Sequence, residues 1–322
     1  MTHPALRIEP KPLFIERYKQ LTNYDEFMHC SMQFIRKAIR VNTIKASVKE
    51  IQKRLEKEWI LTPVPWCKEG FWIEHRGKIN AEGELRKRRD IGNLPEHVLG
   101  YVYVQEAASM IPPVVLDPQH GDVVLDMCAA PGSKTTQIAQ YMENSGAIVA
   151  NDTETQRLSS LGINVQRCGL TNTLITKMNG QSFRRIPIEF DRVLVDAPCS
   201  GTGTIRKSYR ALQDWSPGLV KRMAVIQKQL VGVGFEKLKQ GGTMVYSTCT
   251  CEPEENEGVV SWLLSQYPNA RLEKIALDIK RSEPFLVWNG ETYNHDVKKC
   301  LRIWPQDNDS EGFFVAKIRK EG

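Results

Sequence analysis

The chain has 322 residues, 41% of them hydrophobic and 25% charged, which is the composition of an ordinary globular protein with one large or two modest domains. No apolar run approaches the ~20 residues that span a bilayer, and residues 1–11 lack the apolar stretch of a secretory signal, so neither a membrane nor an export function is indicated. The eight cysteines are scattered without paired CxxC motifs, which argues against structural zinc and favours a reducing, cytoplasmic location.

The net charge of +6 lies entirely in the N-terminal third. Residues 1–100 hold 19 basic and 13 acidic side chains, whereas the remainder of the chain is balanced. A local basic excess favours a polyanionic partner, and the run Arg86-Lys87-Arg88-Arg89 is its densest part. A solvated surface without a partner is the alternative that charge alone leaves open.

The first hundred residues are predicted to form a small α+β domain. Apolar residues at helical spacing indicate mainly helix over residues 14–60, interrupted by a short strand at Ile39–Thr43. Residues 61–92 are broken by proline and glycine and are predicted to be short strands and turns. Three tryptophans are expected in the core: Trp59, Trp66 and Trp72.

From Gly121 the pattern changes to alternating strands and helices, which is typical of a doubly wound, mainly parallel α/β sheet. Strands are predicted at 123–127, 147–152, 174–178, 190–196 and 243–248, with two more near 271–275 and 312–318. Helices are predicted at 134–142, 155–167 and 218–239, the last ended by Gly241-Gly242. In such sheets ligands bind beyond the carboxyl ends of the strands, and four residues are expected there: Gly132, Asp152, Asp196 and Cys249.

The turn after the first of these strands has the character of a nucleotide-type cofactor site. It consists of Cys128, Ala129, Ala130, Pro131, Gly132, Ser133 and Lys134. Small residues let a ligand approach the backbone, and the following helix offers free amide hydrogens. Asp152 ends the next strand, where an acid can accept hydrogen bonds from ribose hydroxyls. The turn is not a P-loop, because Cys128 and Ser133 stand where that motif needs glycine; ordinary strand-to-helix punctuation is the alternative.

Two cysteines follow predicted strand ends. Cys199 lies in Asp196-Ala197-Pro198-Cys199-Ser200-Gly201, and Cys249 lies in Tyr246-Ser247-Thr248-Cys249-Thr250. A lone cysteine is most often a small buried hydrophobe, but two at strand ends beside a nucleotide-like site indicate a thiol nucleophile. Cys251 is the nearest rival nucleophile, and the packing interpretation is kept for Cys30, Cys67, Cys168 and Cys300.

These segments together resemble the Sun (Fmu) family of RNA cytosine-C5 methyltransferases, which use S-adenosyl-L-methionine. The matching segments are Arg40–Thr43, Gln105–Met110, Asp126–Thr135, Asn151-Asp152 with Arg157-Leu158, Asp196–Gly203, Tyr246–Glu257, and the tail around Arg302, Pro305 and Gly312–Phe314. The resemblance implies a basic α+β RNA-binding domain over residues 1–100 and a Rossmann-like class I methyltransferase domain over residues 101–322. It also implies that the cofactor is held by the turn together with Asp152, Arg157, Asn179 and Asp196.

The resemblance further implies that Cys249 is the nucleophile and that Cys199 assists release of the methylated product. A thiolate is needed because C5 of cytosine becomes nucleophilic only after addition to C6 has made it enamine-like. The base must therefore be single-stranded or flipped out. Asp196 is expected to hold the N3/N4 edge of the base, and Lys134 to favour the thiolate and help orient the base.

The chain departs from the family pattern at two positions. Ser133 replaces a glycine, which costs little unless that position needs a positive φ. Asn179 replaces an aspartate that holds the adenine amino group; its carbonyl oxygen can still accept that hydrogen bond, and a simple Asn-Gly turn is the alternative. The acidic segment Glu254–Glu257 is predicted to begin a helix, with Asn256 steadying the Cys249 loop.

Other activities fit these residues less well. Amino-group methylation would need a second proline and an aromatic residue after Asp196, and DNA cytosine methylation would use Cys199 as attacker and leave Cys249 unexplained. A non-catalytic RNA-binding scaffold would need neither thiol. Among RNAs, the resemblance to compact archaeal family members favours tRNA over rRNA. We expect a monomer that binds RNA largely through its basic N-terminal domain. The sequence leaves open whether an accessory protein takes part.

Overall fold

The computed structural model describes residues 9–79, 85–86 and 90–322, so the side chains of the basic run at 86–89 lie outside the described part. The helices are α1 (Pro12–Leu21), α2 (Tyr24–Ser31), α3 (Val48–Leu55), α4 (Pro95–Val98), α5 (Ile111–Leu116), α6 (Ser133–Tyr141), α7 (Thr155–Cys168), α8 (Arg210–Asp214), α9 (Pro217–Glu236), α10 (Glu257–Gln266) and α11 (Pro305–Asn308). The strands are β1 (Ala38–Val41), β2 (Trp59–Val64), β3 (Cys67–His75), β4 (Lys78–Ile79), β5 (Leu85–Arg86), β6 (Val102–Val104), β7 (Val123–Asp126), β8 (Ala147–Asp152), β9 (Thr173–Lys177), β10 (Phe190–Asp196), β11 (Leu238–Thr248), β12 (Ala270–Glu273), β13 (Val287–Trp288), β14 (Glu291–Thr292), β15 (Leu301–Ile303) and β16 (Phe313–Lys320).

The N-terminal region contains an antiparallel sheet of order β2-β3-β1-β6. Trp59 begins a strand rather than ending a helix, because its side chain packs in the core of this sheet. Strand β6 pairs with β1, so the sheet extends past the predicted domain boundary at residue 100. The three tryptophans predicted in the core, Trp59, Trp66 and Trp72, are 9% exposed or less.

The larger sheet has the order β9-β8-β7-β10-β11-β16-β12, with β15 paired to β16. The five strands from β9 to β11 are mutually parallel, and β16 runs antiparallel to its neighbours β11 and β12. This confirms the predicted Rossmann-like, doubly wound, mainly parallel sheet. The strand order reverses between β7 and β10, which is where ligands bind in open sheets of this kind.

Alternate residues of the central strands face two separate cores. Val193 and Val195 of β10 pack on the side of α9, whereas Leu194 packs on the side of α5 and α6. Side chains of successive strand residues point to opposite faces, so a strand covered on both faces must be apolar throughout. This explains the continuous apolar runs in the sequence.

The junction between α9 and β11 differs from the prediction. The helix ends at Glu236, and β11 already begins at Leu238, before Gly241-Gly242. Leu238 pairs with Phe190 and Thr243 with Arg192, so the glycines form an irregularity inside the strand. Gly241 has a φ of +73°, which glycine adopts without strain.

Helices α1 and α2 pack against the larger sheet rather than against the N-terminal sheet. Phe14 and Tyr18 stack on each other, and Phe14 meets the edge of Trp215 with ring centroids 5.2 Å apart. Phe27 of α2 meets Trp304 at 5.8 Å. The first helices therefore complete the core beside the loop that follows Cys249. Across the described ranges, no helix is both long enough and apolar enough to cross a membrane.

Candidate active site

A cavity of about 340 Å³ opens at the carboxyl ends of β7, β10 and β11, where the strand order reverses. Strand β7 contributes Asp126, β10 contributes Asp196, and Cys249 follows the end of β11. Residues from the segments 103–109 and 311–313 close the other sides. The fold thus brings the predicted cofactor turn and the predicted nucleophile into one cavity.

The two predicted catalytic thiols lie side by side. The Sγ atoms of Cys199 and Cys249 are 3.4 Å apart, within hydrogen-bonding distance for sulfur. This hydrogen bond and burial together raise the pKa of Cys199 well above its usual value. Cys199 therefore keeps its proton near neutral pH, so its thiol can donate to the Cys249 sulfur. Cys249 also lines the cavity, where its sulfur can meet a substrate.

The loop that carries Cys249 is braced on both sides by Asn256, as the sequence predicts. The Asn256 Oδ1 accepts from the Thr248 hydroxyl at 2.6 Å, and its Nδ2 donates to the Thr250 carbonyl at 2.9 Å. The Thr250 hydroxyl lies 2.7 Å from Ser200 Oγ, which joins this loop to the one that carries Cys199. The separation of the two thiols is therefore fixed by neighbours on both loops.

The acidic residues after Pro253 do more than begin a helix. Glu255 precedes α10, and its Oε2 accepts from the Ser200 amide at 3.0 Å and from Gln227 at 2.8 Å. Glu257 is the first residue of α10 and forms a fully buried ion pair of 2.6 Å with Arg302. The prediction of a merely acidic helix start is thus incomplete, because each of these carboxylates has a specific buried partner.

Lys134 and Asp196 form an ion pair within the cavity, with Nζ and Oδ2 2.7 Å apart. Lys134 also donates to Ser109 Oγ at 3.1 Å, and the other oxygen of Asp196 accepts from Ser247 at 2.7 Å. Burial disfavours the charged amine, but the attraction of Asp196 outweighs it and the pKa of Lys134 is raised. The cavity thus contains a fixed cation and a carboxylate that can only accept hydrogen bonds.

The backbone of the cofactor turn depends on Gly132. Its φ is +105°, and a Cβ atom there would lie 2.9 Å from Leu161 Cδ1. Both observations require glycine. Ser133 is the first residue of α6, so the positive φ falls on its neighbour. The serine that replaces the family's glycine therefore carries no backbone strain.

Asp152 and Arg157 hold the outer side of this turn. Asp152 is 3% exposed, and its Oδ2 accepts from the Ala130 amide at 3.3 Å. Arg157 lies 3.4 Å from the same carboxylate oxygen and donates to the Ala130 carbonyl at 2.7 Å. The aspartate at the end of β8 is thus fixed beside the residues predicted to contact the cofactor.

Comparison with known proteins places this site in a family. A family model described as 16S rRNA methyltransferase RsmB/F matches residues 113–319, and a model of the N-terminal domain of 16S rRNA methyltransferase RsmF matches residues 11–107. The chain belongs to the RsmB/F family. The resemblance to the Sun (Fmu) methyltransferases predicted from the sequence is thereby confirmed, as is its assignment as an RNA methyltransferase.

Individual members of the family match over most of the chain. The tRNA (cytosine(49)-C(5))-methyltransferase of Pyrococcus abyssi is 48% identical over 95% of both chains. The ribosomal RNA small subunit methyltransferase F of Vibrio cholerae is 43% identical over 99% of this chain, which spans only 65% of that relative's length. A crystal structure of a methyltransferase homologue from Pyrococcus horikoshii is 36% identical and superimposes with a TM-score of 0.83, covering 98% of this chain and 97% of that chain.

S-adenosyl-L-methionine, the predicted cofactor, is the cofactor of the RsmB/F family, and the cavity fits it. Asp126 Oδ1 is buried at the cavity wall without a hydrogen-bond partner among the described residues, whereas Oδ2 accepts from Thr135 at 2.7 Å. Burial raises the pKa of Asp126 to about 7. A buried acceptor without a partner is what a hydroxyl or amino group of a ligand would satisfy. The cofactor would be held by this carboxylate, the 128–133 backbone and Asp152.

The predicted site residues are distributed over the cavity and its supports. Eight of them line it: Cys128, Ala129, Ala130, Pro131, Ser133, Lys134, Asp196 and Cys249. Asn179 does not lie among the described lining residues, and its Oδ1 accepts from the Gln181 amide at 2.9 Å at the start of a short 3₁₀ helix. This contact corresponds to the alternative interpretation, a simple turn. The rival Cys251 is 1% exposed and is not among the residues that line the cavity, and burial raises the pKa of its thiol strongly.

Sequence reasoning assigned no role to several residues that line the cavity. They are Tyr103, Glu106, Ser109, Lys207, Glu311 and Phe313. Glu106, Ser109 and Phe313 belong to segments that carry the family resemblance. The sequence therefore marked these segments as part of a motif but did not indicate what their side chains do. Glu311 and Lys207 lie just outside those segments and gave no signal.

Proposed function

We propose that this protein methylates C5 of cytosine in RNA through a covalent bond between Cys249 and C6 of the base. The observation that carries the proposal is that Cys249 lines the cavity that contains the Lys134–Asp196 ion pair, while the Cys199 sulfur lies 3.4 Å from the Cys249 sulfur. A thiol nucleophile is needed because C5 of cytosine is a poor nucleophile until C6 has been attacked. Amino-group methylation would leave both thiols without a function.

In the proposed reaction the Cys249 thiolate adds to C6, and the electrons of the C5–C6 double bond make C5 nucleophilic. Lys134 stabilises the thiolate before the attack. S-adenosyl-L-methionine, when bound, supplies the electrophilic methyl group. A water molecule then accepts the C5 proton, the C5–C6 double bond re-forms, and the Cys249 sulfur leaves C6. Because Cys199 keeps its proton, its thiol can donate to the departing sulfur and assist release.

In this proposal Asp196 selects cytosine. Its carboxylate can only accept hydrogen bonds, and the exocyclic amino group at C4 of cytosine is a donor. Uracil presents a carbonyl oxygen at that position, which a carboxylate would repel. Since the Lys134 and Ser247 contacts hold both oxygens of Asp196 in place, the acceptor is preorganised for the base.

We propose tRNA as the substrate. The relative named as a tRNA methyltransferase is 48% identical to this chain, and the relative named for ribosomal RNA is 43% identical. The basic excess of residues 1–100 would bind the phosphate backbone, and the target base would be flipped into the cavity. A cytoplasmic, monomeric enzyme is part of this proposal.

The experiment is a methylation assay on unmodified tRNA transcripts and on 16S rRNA fragments, with bisulfite sequencing to locate the product. We expect 5-methylcytosine in tRNA at a single position. The Cys249→Ala variant should be inactive, and the matched control Cys251→Ala should retain activity, since that thiol is buried outside the cavity. An active Cys249→Ala variant would overturn the mechanism, and methylation of the rRNA fragment alone would overturn the choice of substrate.

A further inference from the structure

Two glutamates form part of the cavity wall opposite the cofactor turn. Glu106 and Glu311 both line the cavity, and Glu106 Oε1 accepts from the Glu311 backbone amide at 3.3 Å. The Glu311 side chain is 5% exposed, and its Oε1 is buried without a hydrogen-bond partner in the described part of the chain. Lys207 Nζ approaches this oxygen to 3.8 Å, which is too far for a hydrogen bond, so a group of a bound ligand could supply the missing hydrogen bond.

The backbone places Glu311 beside the nucleophile. The Gly312 amide donates to the Gly203 carbonyl at 2.9 Å, and the Gly203 amide donates to the Cys249 carbonyl at 3.0 Å. A Cβ atom on Gly203 would lie 2.2 Å from the Gly312 carbonyl oxygen, so only glycine allows this approach. Phe313, two residues after Glu311, has its ring centroid 5.5 Å from Lys134 Nζ. Glu311 is thus held on the same wall as the groups that would surround the base.

The two carboxyls cannot both ionise easily. Burial and the nearby charge of Glu311 raise the pKa of Glu106 to about 8, and burial also raises the pKa of Glu311. The charged groups that act on Glu311 are Glu106, Lys207, Lys134, Asp196 and Arg206. Lys207 lies 3.8 Å from Glu311 Oε1, but its side chain is 68% exposed and its charge is screened by solvent. The two carboxyls therefore titrate as a coupled pair that keeps a proton to higher pH than an isolated glutamate does, and this titration belongs to the pair as a unit.

The pyrimidine needs a donor that the groups described so far do not fully supply. When a thiolate adds to C6 of cytosine, negative charge develops on N3. Asp196 can only accept hydrogen bonds. Lys134 donates to Ser109 and Asp196, and because its pKa is raised, its remaining N–H can form a hydrogen bond but does not readily give up its proton. A neutral carboxyl, in contrast, can donate a hydrogen bond or transfer its proton outright.

We propose that Glu311 is a further catalytic residue, which donates its carboxyl proton to N3 of the target cytosine as Cys249 adds to C6. In this step the S–C6 bond forms, the C5–C6 π bond shifts toward N3, and the proton moves from Glu311 to N3. After C5 has taken the methyl group, a water molecule accepts the C5 proton, the S–C6 bond breaks, and N3 returns its proton to Glu311. Glu106 is a positioning residue that holds the Glu311 backbone and keeps the pair protonated. This inference rests on the proposed function.

The test is the pH dependence of single-turnover methylation on a tRNA transcript, compared among variants. For the wild type we expect the rate to fall as the coupled pair loses its last proton, which the Glu106 pKa of about 8 places at alkaline pH. The Glu311→Gln variant cannot titrate, so we expect it to lack this alkaline limb and to be roughly 10²-fold slower at pH 7, with unchanged affinity for RNA. In Glu106→Gln the neighbouring negative charge is removed, so the limb should move to lower pH.

The matched control is Glu69→Gln, which changes a buried glutamate outside the cavity and should keep the wild-type pH profile. A Glu311→Gln variant that is folded, binds RNA and retains the wild-type rate and alkaline limb would overturn the inference. If Glu311→Gln fails to fold, an unshifted limb in Glu106→Gln overturns it instead. A wild-type protein that makes no 5-methylcytosine on any RNA would refute the proposed function rather than the role of Glu311.

Discussion

Tyr18 on helix α1 reaches the loop that follows Cys249, and we expect the loss of its hydroxyl to destabilise the protein measurably. The hydroxyl donates to Glu252 Oε1 at 2.9 Å, alongside Trp215 Nε1 at 2.8 Å, and Arg17 Nε donates to Oε2 at 2.7 Å. Tyr18 and Glu252 are both 0% exposed, so water cannot replace the lost donor. A hydrogen bond to a charged group contributes about 1.5–3 kcal/mol, so Tyr18→Phe should lower the free energy of unfolding by about that amount.

Chemical denaturation followed by tryptophan fluorescence, with linear extrapolation to water, measures this difference. Tyr293→Phe is the matched control. Tyr293 packs in the same core cluster, and its buried hydroxyl has no partner within residues 9–79, 85–86 and 90–322. Removing that hydroxyl should therefore leave stability nearly unchanged. Equal losses in the two variants, or a Tyr18→Phe protein as stable as the wild type, would show that the Glu252 contacts do not hold α1 against the catalytic loop.

Three further outcomes follow from the site. In Gly203→Ala, the added Cβ atom would lie 2.8 Å from the Cys249 carbonyl oxygen. The rate of methylation should therefore fall roughly 10²-fold, because the Cys249 thiol is displaced. The control variant Gly218→Ala, whose Cβ atom would have only Ser216 Oγ nearby, should be as active as the wild type. Burial raises the pKa of Glu255 to about 7, above its value in the unfolded chain. The contribution of Glu255 to the free energy of unfolding is therefore lost as the pH rises through about 7. The free energy of unfolding of Glu255→Gln, measured by denaturation, should decline less over that pH range than that of the wild type. Hydrogen peroxide should join the neighbouring Cys199 and Cys249 thiols in a disulfide with release of water, and mass spectrometry of the RNA-free protein should find that bond and not one to the buried Cys251.

Prediction from the sequence was most accurate for reactive side chains that lie at the ends of strands. Cys249 and Asp196 were predicted at the carboxyl edge of a parallel sheet, and both line the cavity there. The prediction worked because strands buried on both faces are continuously apolar and end abruptly in polar residues. Lys134 and the cofactor turn followed from the same strand-to-helix pattern.

The contacts that sequence reasoning missed join segments far apart in the chain. Glu106 and Glu311 are separated by 205 positions, and neither sits in a pattern whose chemistry can be read locally. The same holds for Tyr18 and Glu252, since α1 shows only helical spacing in the sequence. Local propensity also misplaced the start of β11, because pairing of Leu238 with Phe190 extends the strand past two glycines.

The covalent step itself can be observed directly. Cys199→Ala removes the thiol proposed to assist release, so incubation with tRNA and S-adenosyl-L-methionine should accumulate a protein–RNA adduct that survives a denaturing gel. Digestion and mass spectrometry should then locate the nucleotide on Cys249, and the double variant Cys199→Ala/Cys249→Ala should form none. An adduct on another cysteine, or its complete absence while the wild type methylates the same RNA, would contradict the proposed mechanism.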